Sequence, residues 1–257
     1  MYNPYKNYLD SFFETITEFK HTSKRLNTVL QGDAKKYTED GARYFSGTKL
    51  FISDWTGPLD NGWKIPFSTG VKRETFKENY AIEIDKILSR EFGLAYAQCY
   101  EAFETVLKDF IDIKIKTDQN FKKSLPIDKN YSREYLRGSY EIFKIVKKAG
   151  GNKFKEYSNQ NNNNFKFSEL FKIFTEIRHA ITHSKGILNS SKIPKDEYYQ
   201  SLFEHLLKLN NFEGDLIQLR FDYVTLEKLL IYLSEFAYQI FKILSEEDNY
   251  EWNYKLL

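Results

Sequence analysis

The stretch of this chain best suited to chemistry is "EIRHAITHSKG", residues 176–186, which holds two of the four histidines among 257 residues. Histidine titrates nearest to neutral pH and can accept or donate a proton. Arginine keeps its charge and can bind two oxygens of one phosphate. Arg178, His179 and His183 are therefore candidate catalytic residues for acid–base chemistry on a phosphate group.

The three residues lie late on a predicted amphipathic helix, "FSELFKIFTEIRHAITHS". Ser168 is its candidate N-cap and Gly186 its candidate stop. At about 100° per residue, Arg178 and His183 flank the apolar stripe of this helix and diverge by roughly 140°. One helix cannot aim both side chains at one atom, whereas two copies related by a two-fold axis can share a cleft. The geometry therefore favours a homodimer with a composite site.

Two other interpretations of this stretch are open. Basic side chains in the last turn of a helix oppose its dipole and bond its free carbonyls, so the motif would then be only a helix end. Alternatively, Glu176 with His179 and Glu18 with His21 have the Glu-x-x-His spacing of di-iron bundles. Helical geometry directs Glu18 and His21 towards solvent, however, so we expect no metal site and no cofactor.

Apolar residues recur at three- and four-residue steps along most of the chain, which predicts a mainly α fold. The predicted helices are "YLDSFFETITEFKHTSKRLNTVL", Phe76 to Lys116 with a candidate break at Gly93, Ser132 to Lys148, the motif helix, Tyr198 to Leu209, and "TLEKLLIYLSEFAYQIFKIL". Gly, Pro and Asn-Gly signals in "YFSGTKLFISDWTGPLDNGWKIPFSTG" indicate short strands or an ordered loop. "SNQNNNN" is typical of a flexible loop, and "GDLIQLRFDYV" of an extended segment.

The motif and the order of these helices resemble the HEPN superfamily of nucleases. That family carries an arginine, usually followed by a polar residue, and a histidine shortly after it, late on a helix of a small bundle. Arg178, His179 and His183 match this pattern. "LAYAQCYEAFETVLKDFI" and "YSREYLRGSYEIFKIVKKAG" resemble the first two helices of the family. We therefore expect a HEPN-like helical domain over residues 79–257, preceded by an N-terminal extension over residues 1–78 that holds a helix and the aromatic-rich, strand-like stretch.

The resemblance implies a metal-independent endoribonuclease that leaves 2′,3′-cyclic phosphate and 5′-hydroxyl ends. His183 would be the acid–base residue, Arg178 would bind the phosphate, and His179 would orient the site or the phosphate. It also implies a toxin-like role, in phage defence or in a toxin–antitoxin pair, with an antitoxin or defence-system protein as partner. A different class of function is the alternative, a non-catalytic helical protein that binds RNA, a nucleotide or a partner protein.

Any binding of RNA would have to be local, because 38 Lys and Arg face 36 Asp and Glu for a net charge of +2. The candidate contacts are Lys144, Lys147, Lys148 and Lys185, with Lys153 and Lys155 near the first three and a second cluster at Lys114, Lys116, Lys122 and Lys123. Such runs are also typical of an ordinary solvated face. Trp55 or Trp63 would suit base stacking, although packing in a core is the alternative.

Cys99, the single cysteine, lies on an apolar helical face, which predicts a buried thiol and excludes an intrachain disulfide. His21 is predicted to be solvated and His205 to pack locally. No apolar run approaches the roughly 18 residues of a membrane span, and the first residues are polar. We therefore expect no membrane partner and a cytoplasmic location.

Overall fold

The computed structural model describes residues 2–56, 66–126, 131–207 and 215–253, and these form a mainly α-helical bundle, which confirms the predicted fold class. The helices are α1 (Lys6–Lys36), α2 (Tyr80–Thr117), α3 (Gln119–Lys123), α4 (Ser139–Ala149), α5 (Gly151–Asn159), α6 (Phe167–Ser184), α7 (Glu197–Leu207) and α8 (Tyr223–Glu247). Short 3-10 helices cover residues 77–79, 133–135 and 190–192. None of the helices in these ranges is long and apolar enough to cross a membrane.

Two small antiparallel sheets accompany the helices. The strands are β1 (Phe45–Ser53), β2 (Pro66–Phe76), β3 (Ile187–Asn189) and β4 (Leu216–Gln218), with β1 paired to β2 and β3 paired to β4. The strands expected after α1 are thus confirmed, and β4 confirms the extended segment before α8. Trp55 follows β1 and is 85% exposed, so the expectation that it packs in a core is wrong. Trp63 lies outside the described residues.

The chain divides into two compact units, one of residues 1–24 and 89–257 and the other of residues 25–88. In the smaller unit the rings of Tyr37, Tyr44 and Tyr80 pack with centroids 4.1 to 4.9 Å apart. The hydroxyl of Tyr80 donates a hydrogen bond to Asp33. The division into an extension over residues 1–78 and a helical domain over residues 79–257 stays a prediction.

Helix α2 runs unbroken through Gly93, so the predicted break there is wrong. Gly93 is buried, and a Cβ atom on it would lie 3.5 Å from the ring of Phe221 and 3.7 Å from Cγ1 of Ile181. Phe221 and Ile181 thus pack over Gly93, at distances that also leave room for a methyl group. The sequence shows that a glycine weakens a helix, but it does not show these distant neighbours.

Several helix ends also differ from prediction. Helix α4 starts at Ser139, because Ser132 and the residues after it form a 3-10 turn. Helix α6 starts at Phe167, so Ser168 lies inside the first turn and is not the N-cap. The Oγ atom of Ser158 accepts the free amide of Phe167 at 3.0 Å and replaces such a cap.

One loop and one helix also differ from the prediction at an end. The loop expected at "SNQNNNN" begins only at Gln160, because α5 continues to Asn159. The helix expected over Tyr198–Leu209 is α7, which starts at Glu197, and its expected end beyond Leu207 lies outside the described residues.

Aromatic side chains form much of the core of the larger unit and fix α6 against its neighbours. Phe143 on α4 stacks on Phe171 on α6 with centroids 4.1 Å apart and planes 5° apart. Phe236 on α8 packs against Phe103 on α2 with centroids 5.8 Å apart. Such pairs add to the free energy of simple burial. Phe103 also packs against Phe171, and Phe236 against Phe174, each with centroids 6.3 Å apart. Helix α6 therefore packs against α2, α4 and α8.

Cys99 lies in this core, as predicted. Burial raises the pKa of its thiol to about 12, so the thiolate is not formed at neutral pH. This cysteine therefore has a packing role.

Candidate active site at the end of helix α6

Two buried hydrogen bonds fix α6 on α2. The hydroxyl of Tyr96 donates to the carbonyl oxygen of Phe174 at 3.0 Å, and the hydroxyl of Tyr100 lies 2.7 Å from Oγ1 of Thr175. Thr175 donates its own proton to the carbonyl oxygen of Phe171 at 2.8 Å, so Tyr100 is the donor to Thr175. These bonds set the rotation of α6 just before the candidate catalytic residues.

The end of α6 is fixed as well. The predicted stop is confirmed, because the helix ends at Ser184, Lys185 takes the left-handed conformation with φ of 54°, and Gly186 follows with φ of 79°. The amide of Gly186 donates to the carbonyl oxygen of Ala180 at 2.8 Å, which closes the last turn. The carbonyl oxygen of Gly186 accepts the amide of Leu219 at 2.8 Å. Backbone hydrogen bonds therefore hold the residue that follows the last turn of α6 on both its amide and its carbonyl side.

Arg178 is oriented by an acidic residue of α2 that the sequence did not single out. Its Nε and Nη2 atoms both donate to Oε1 of Glu101, the former at 2.9 Å. The side chain of Arg178 is 20% exposed and that of Glu101 is 52% exposed. An ion pair so open to water contributes little to stability, up to about 1 kcal/mol. It can nevertheless hold the guanidinium in one orientation.

His179 and His183 lie one turn apart on the same side of α6, with ring centroids 5.8 Å apart. His183 is exposed, whereas His179 is half-buried. Burial, and next the charge of Arg178, lower the pKa of His179 below its ordinary value of 6.5. His179 is therefore mainly neutral at pH 7 and able to accept a proton.

The structure brings together only part of the predicted set. The contacts of the motif join Arg178 to Glu101 and His179 to His183, and among the described residues no hydrogen bond joins Arg178 to His183. This agrees with the divergence of the two side chains on an ideal helix. Within one chain, Arg178 and His183 thus remain on separate sides of the helix.

The first turn of α4 supplies further polar groups next to the motif. The hydroxyl of Tyr140 donates to Oε1 of Glu176 at 3.5 Å, and the buried carboxylate of Glu104 accepts the amide of Ser139. Ser139 has a positive φ of 52°, a strained conformation for a residue with a side chain. The negative charges of Glu176 and Glu104 favour the protonated form of His179, but the opposite effect of burial is larger. The pKa of His179 is therefore lowered.

The candidate RNA-binding lysines are exposed but lie on different elements. Lys144, Lys147 and Lys148 are on α4, and Lys185 caps α6. Lys144 pairs with Glu141 at 2.8 Å. These side chains are accessible to a polyanion.

The second lysine cluster is not a uniform basic surface. Lys114 is buried between Asp118, at 3.2 Å, and Asp248, so its interpretation as an RNA contact is wrong. Lys116 pairs with Asp112 at 2.7 Å. Lys114 links the end of α2 to the end of α8 and has a structural role.

The other histidines behave as predicted. His21 and Glu18 are exposed on α1. The Nε2 atom of His205 lies 2.8 Å from the hydroxyl of Tyr232, a local contact of α7 with α8. Within the described ranges, no three His, Cys, Asp or Glu side chains form a group that could hold a metal ion.

Comparisons with models of protein families, with curated proteins and with solved structures found no match of any of the three kinds.

Proposed function

We propose that this chain is a HEPN-type, metal-independent endoribonuclease that acts in the cytoplasm as a homodimer. The proposal rests on one observation above all. The last two turns of α6 carry Arg178, which Glu101 orients, and two histidines that lie one turn apart from each other. His183 is exposed and His179 is half-buried. The proposed products are a 2′,3′-cyclic phosphate and a 5′-hydroxyl.

Arg178 is proposed to stabilise the phosphate as negative charge develops on it. Glu101 occupies two of the five N–H donors of the guanidinium. The remaining donors are left for phosphate oxygens, and the arginine keeps its charge throughout the reaction. Glu101 is then a positioning residue, because it acts on the phosphate only through Arg178.

His183 is proposed to move the protons. The 2′-oxygen attacks phosphorus as its proton passes to a base, and the bond from phosphorus to the 5′-oxygen breaks as that oxygen gains a proton. A histidine is suited to either transfer near neutral pH. His183 is the exposed member of the pair and is accessible to RNA. His179, mainly neutral and 5.8 Å away between ring centroids, is proposed to orient His183 or the phosphate.

A second copy of the chain is proposed to complete the active site. Arg178 and His183 diverge around α6, so one protomer offers them in different directions. Two motif helices across a two-fold axis would place the arginine of one beside the histidine of the other. By the family resemblance, we further propose a toxin-like role in phage defence or beside an antitoxin.

The proposal is tested by substitution with a matched control. His183→Ala and Arg178→Ala should each reduce cleavage of total RNA at least about 100-fold, the usual effect of removing a general acid–base residue or an oriented charge donor. His21→Ala removes another exposed histidine, from α1, and should leave cleavage unchanged. If all three variants cut like the wild type, the motif is only a helix end. RNA binding without cleavage by the folded dimer would favour the non-catalytic alternative.

A further inference from the structure

A cavity of about 540 Å³ lies beside α4, in the larger unit, on a face that the proposed cleavage site does not use. Its apolar floor includes Leu125 and Leu136, both buried, and Ile145 of α4. On α4, Tyr140 contacts Glu176 and Phe143 stacks on α6, so these residues face away from the cavity. The cavity has the size of a pocket for a small molecule.

The wall of this cavity is anchored to α2. Arg133 donates to Asp109, and the hydroxyl of Tyr131 donates to Asp112 at 3.2 Å. Tyr135 follows these anchors in the chain, on the short 3-10 helix of residues 133–135. Its side chain is 69% exposed and lines the cavity. A large exposed tyrosine on an anchored wall is a preformed stacking surface.

Three cations and one carboxylate line the same cavity. Lys144 pairs with Glu141 in an exposed ion pair of 2.8 Å, which is a weak interaction. Lys148 donates to the carbonyl oxygen of Ser124. Arg137 makes no hydrogen bond or ion pair among the described residues, although its charge lowers the pKa of Glu141. The described lining of the cavity therefore carries excess positive charge, including a guanidinium that has no bonded acid within the described ranges.

We propose that this cavity binds one nucleotide, with its base against Tyr135 and its phosphate at Arg137 and Lys148. An aromatic face beside cations is how proteins hold single nucleotides of an unpaired strand, because each base has a flat apolar face and each phosphate a charge. The apolar floor excludes water beneath the base, and Arg137 supplies a forked donor for phosphate oxygens. The inference does not depend on the proposed cleavage.

Two ligands present the same base and phosphate groups, a free nucleoside 5′-monophosphate and a nucleotide within an RNA strand. The first arm of the test measures binding of AMP by calorimetry. The second measures binding of a fluorescent eight-residue oligoadenylate with 2′-O-methyl groups, by anisotropy. This strand has no 2′-hydroxyl and cannot be cleaved by the proposed route, so binding is read without cleavage. AMP binding supports a free nucleotide, and binding of the strand alone supports a subsite for RNA.

Substitutions within and outside the cavity locate the binding. Arg137→Ala and Lys148→Ala should each weaken binding about tenfold or more, as expected for lost hydrogen bonds to a charged group. Lys192→Ala is the matched control, because Lys192 is exposed on the short 3-10 helix of residues 190–192 and does not line the cavity. It should change affinity less than about twofold at constant ionic strength. Tyr135→Phe should retain affinity, since stacking needs only the ring, and Tyr135→Ala should lose it.

Two results would overturn the inference. One is equal weakening by Lys192→Ala and Lys148→Ala, which would mean that only diffuse surface charge attracts the strand. The other is no binding of either probe at millimolar concentration by protein that circular dichroism shows to be folded. Cleavage of total RNA is measured separately on the same protein preparations, so failure of the cleavage proposal and failure of this one are distinguishable.

Discussion

Replacing Gly93 by alanine tests how α2 supports the motif helix, and we expect it to stabilise the protein. Gly93 lies inside α2, where alanine is favoured over glycine by about 0.8–1.0 kcal/mol. The new methyl group would meet Phe221 at 3.5 Å and Ile181 at 3.7 Å, distances of ordinary contact. No strain should therefore offset the gain. Ile181 lies between Arg178 and His183, so the substitution tests packing directly beneath the site.

The assay is thermal unfolding followed by circular dichroism. A gain of about 1 kcal/mol corresponds to a rise of roughly 2–4 °C for a chain of this size. The same substitution at Gly150 is the control of opposite sign, because a Cβ atom there would lie 2.7 Å from Cγ2 of Ile243 and 3.0 Å from Cβ of Phe154. Gly150→Ala should lower the midpoint. If Gly93→Ala lowers it instead, α2, Phe221 and α6 do not pack as described.

Further predictions concern the polar groups around α6. Tyr100→Phe should cost about 1 kcal/mol, because it removes one buried hydrogen bond and leaves Thr175 bonded to Phe171. Thr175→Val should cost more, about 1–3 kcal/mol, because it removes the bond of Thr175 to Phe171 as well as its bond to Tyr100. Urea titration of both variants gives the order, and the reverse order would contradict the assigned bonds. The pKa of His179 is lowered in the fold, so its contribution to stability is present above pH 6.5 and is lost as the pH falls from 6.5 through the folded pKa. His179→Gln should therefore lose less thermal stability than the wild type between pH 7.5 and pH 5, and an equal loss would show that His179 is not the titrating group.

The helices could be predicted because their signals are local. The apolar spacing of α6 and α8 reports directly which face is buried. The end of α6 was also predictable, since Gly186 has a positive φ that glycine adopts without strain. Each of these features depends on residues within one or two helical turns.

The missed features depend on partners distant in sequence. Glu101 orients Arg178 from 77 residues away, and nothing near either residue signals the pair. Glu104 holds the strained start of α4 at Ser139 in the same way. Helix α2 continues through Gly93 beneath Phe221, which lies more than 100 residues later and which no local signal reveals. The candidate catalytic residues were recognisable from their types and spacing, whereas the groups that position them were not.

The central claim is cleavage by attack of the 2′-hydroxyl without a metal ion, and product-end mapping tests it most directly. The purified protein should be incubated with total RNA in excess EDTA, beside His183→Ala, and the fragment ends determined chemically. We predict 2′,3′-cyclic phosphate and 5′-hydroxyl ends from the wild type alone. Cleavage that stops in EDTA, fragments with 5′-phosphate ends, or equal cleavage by His183→Ala would contradict the account.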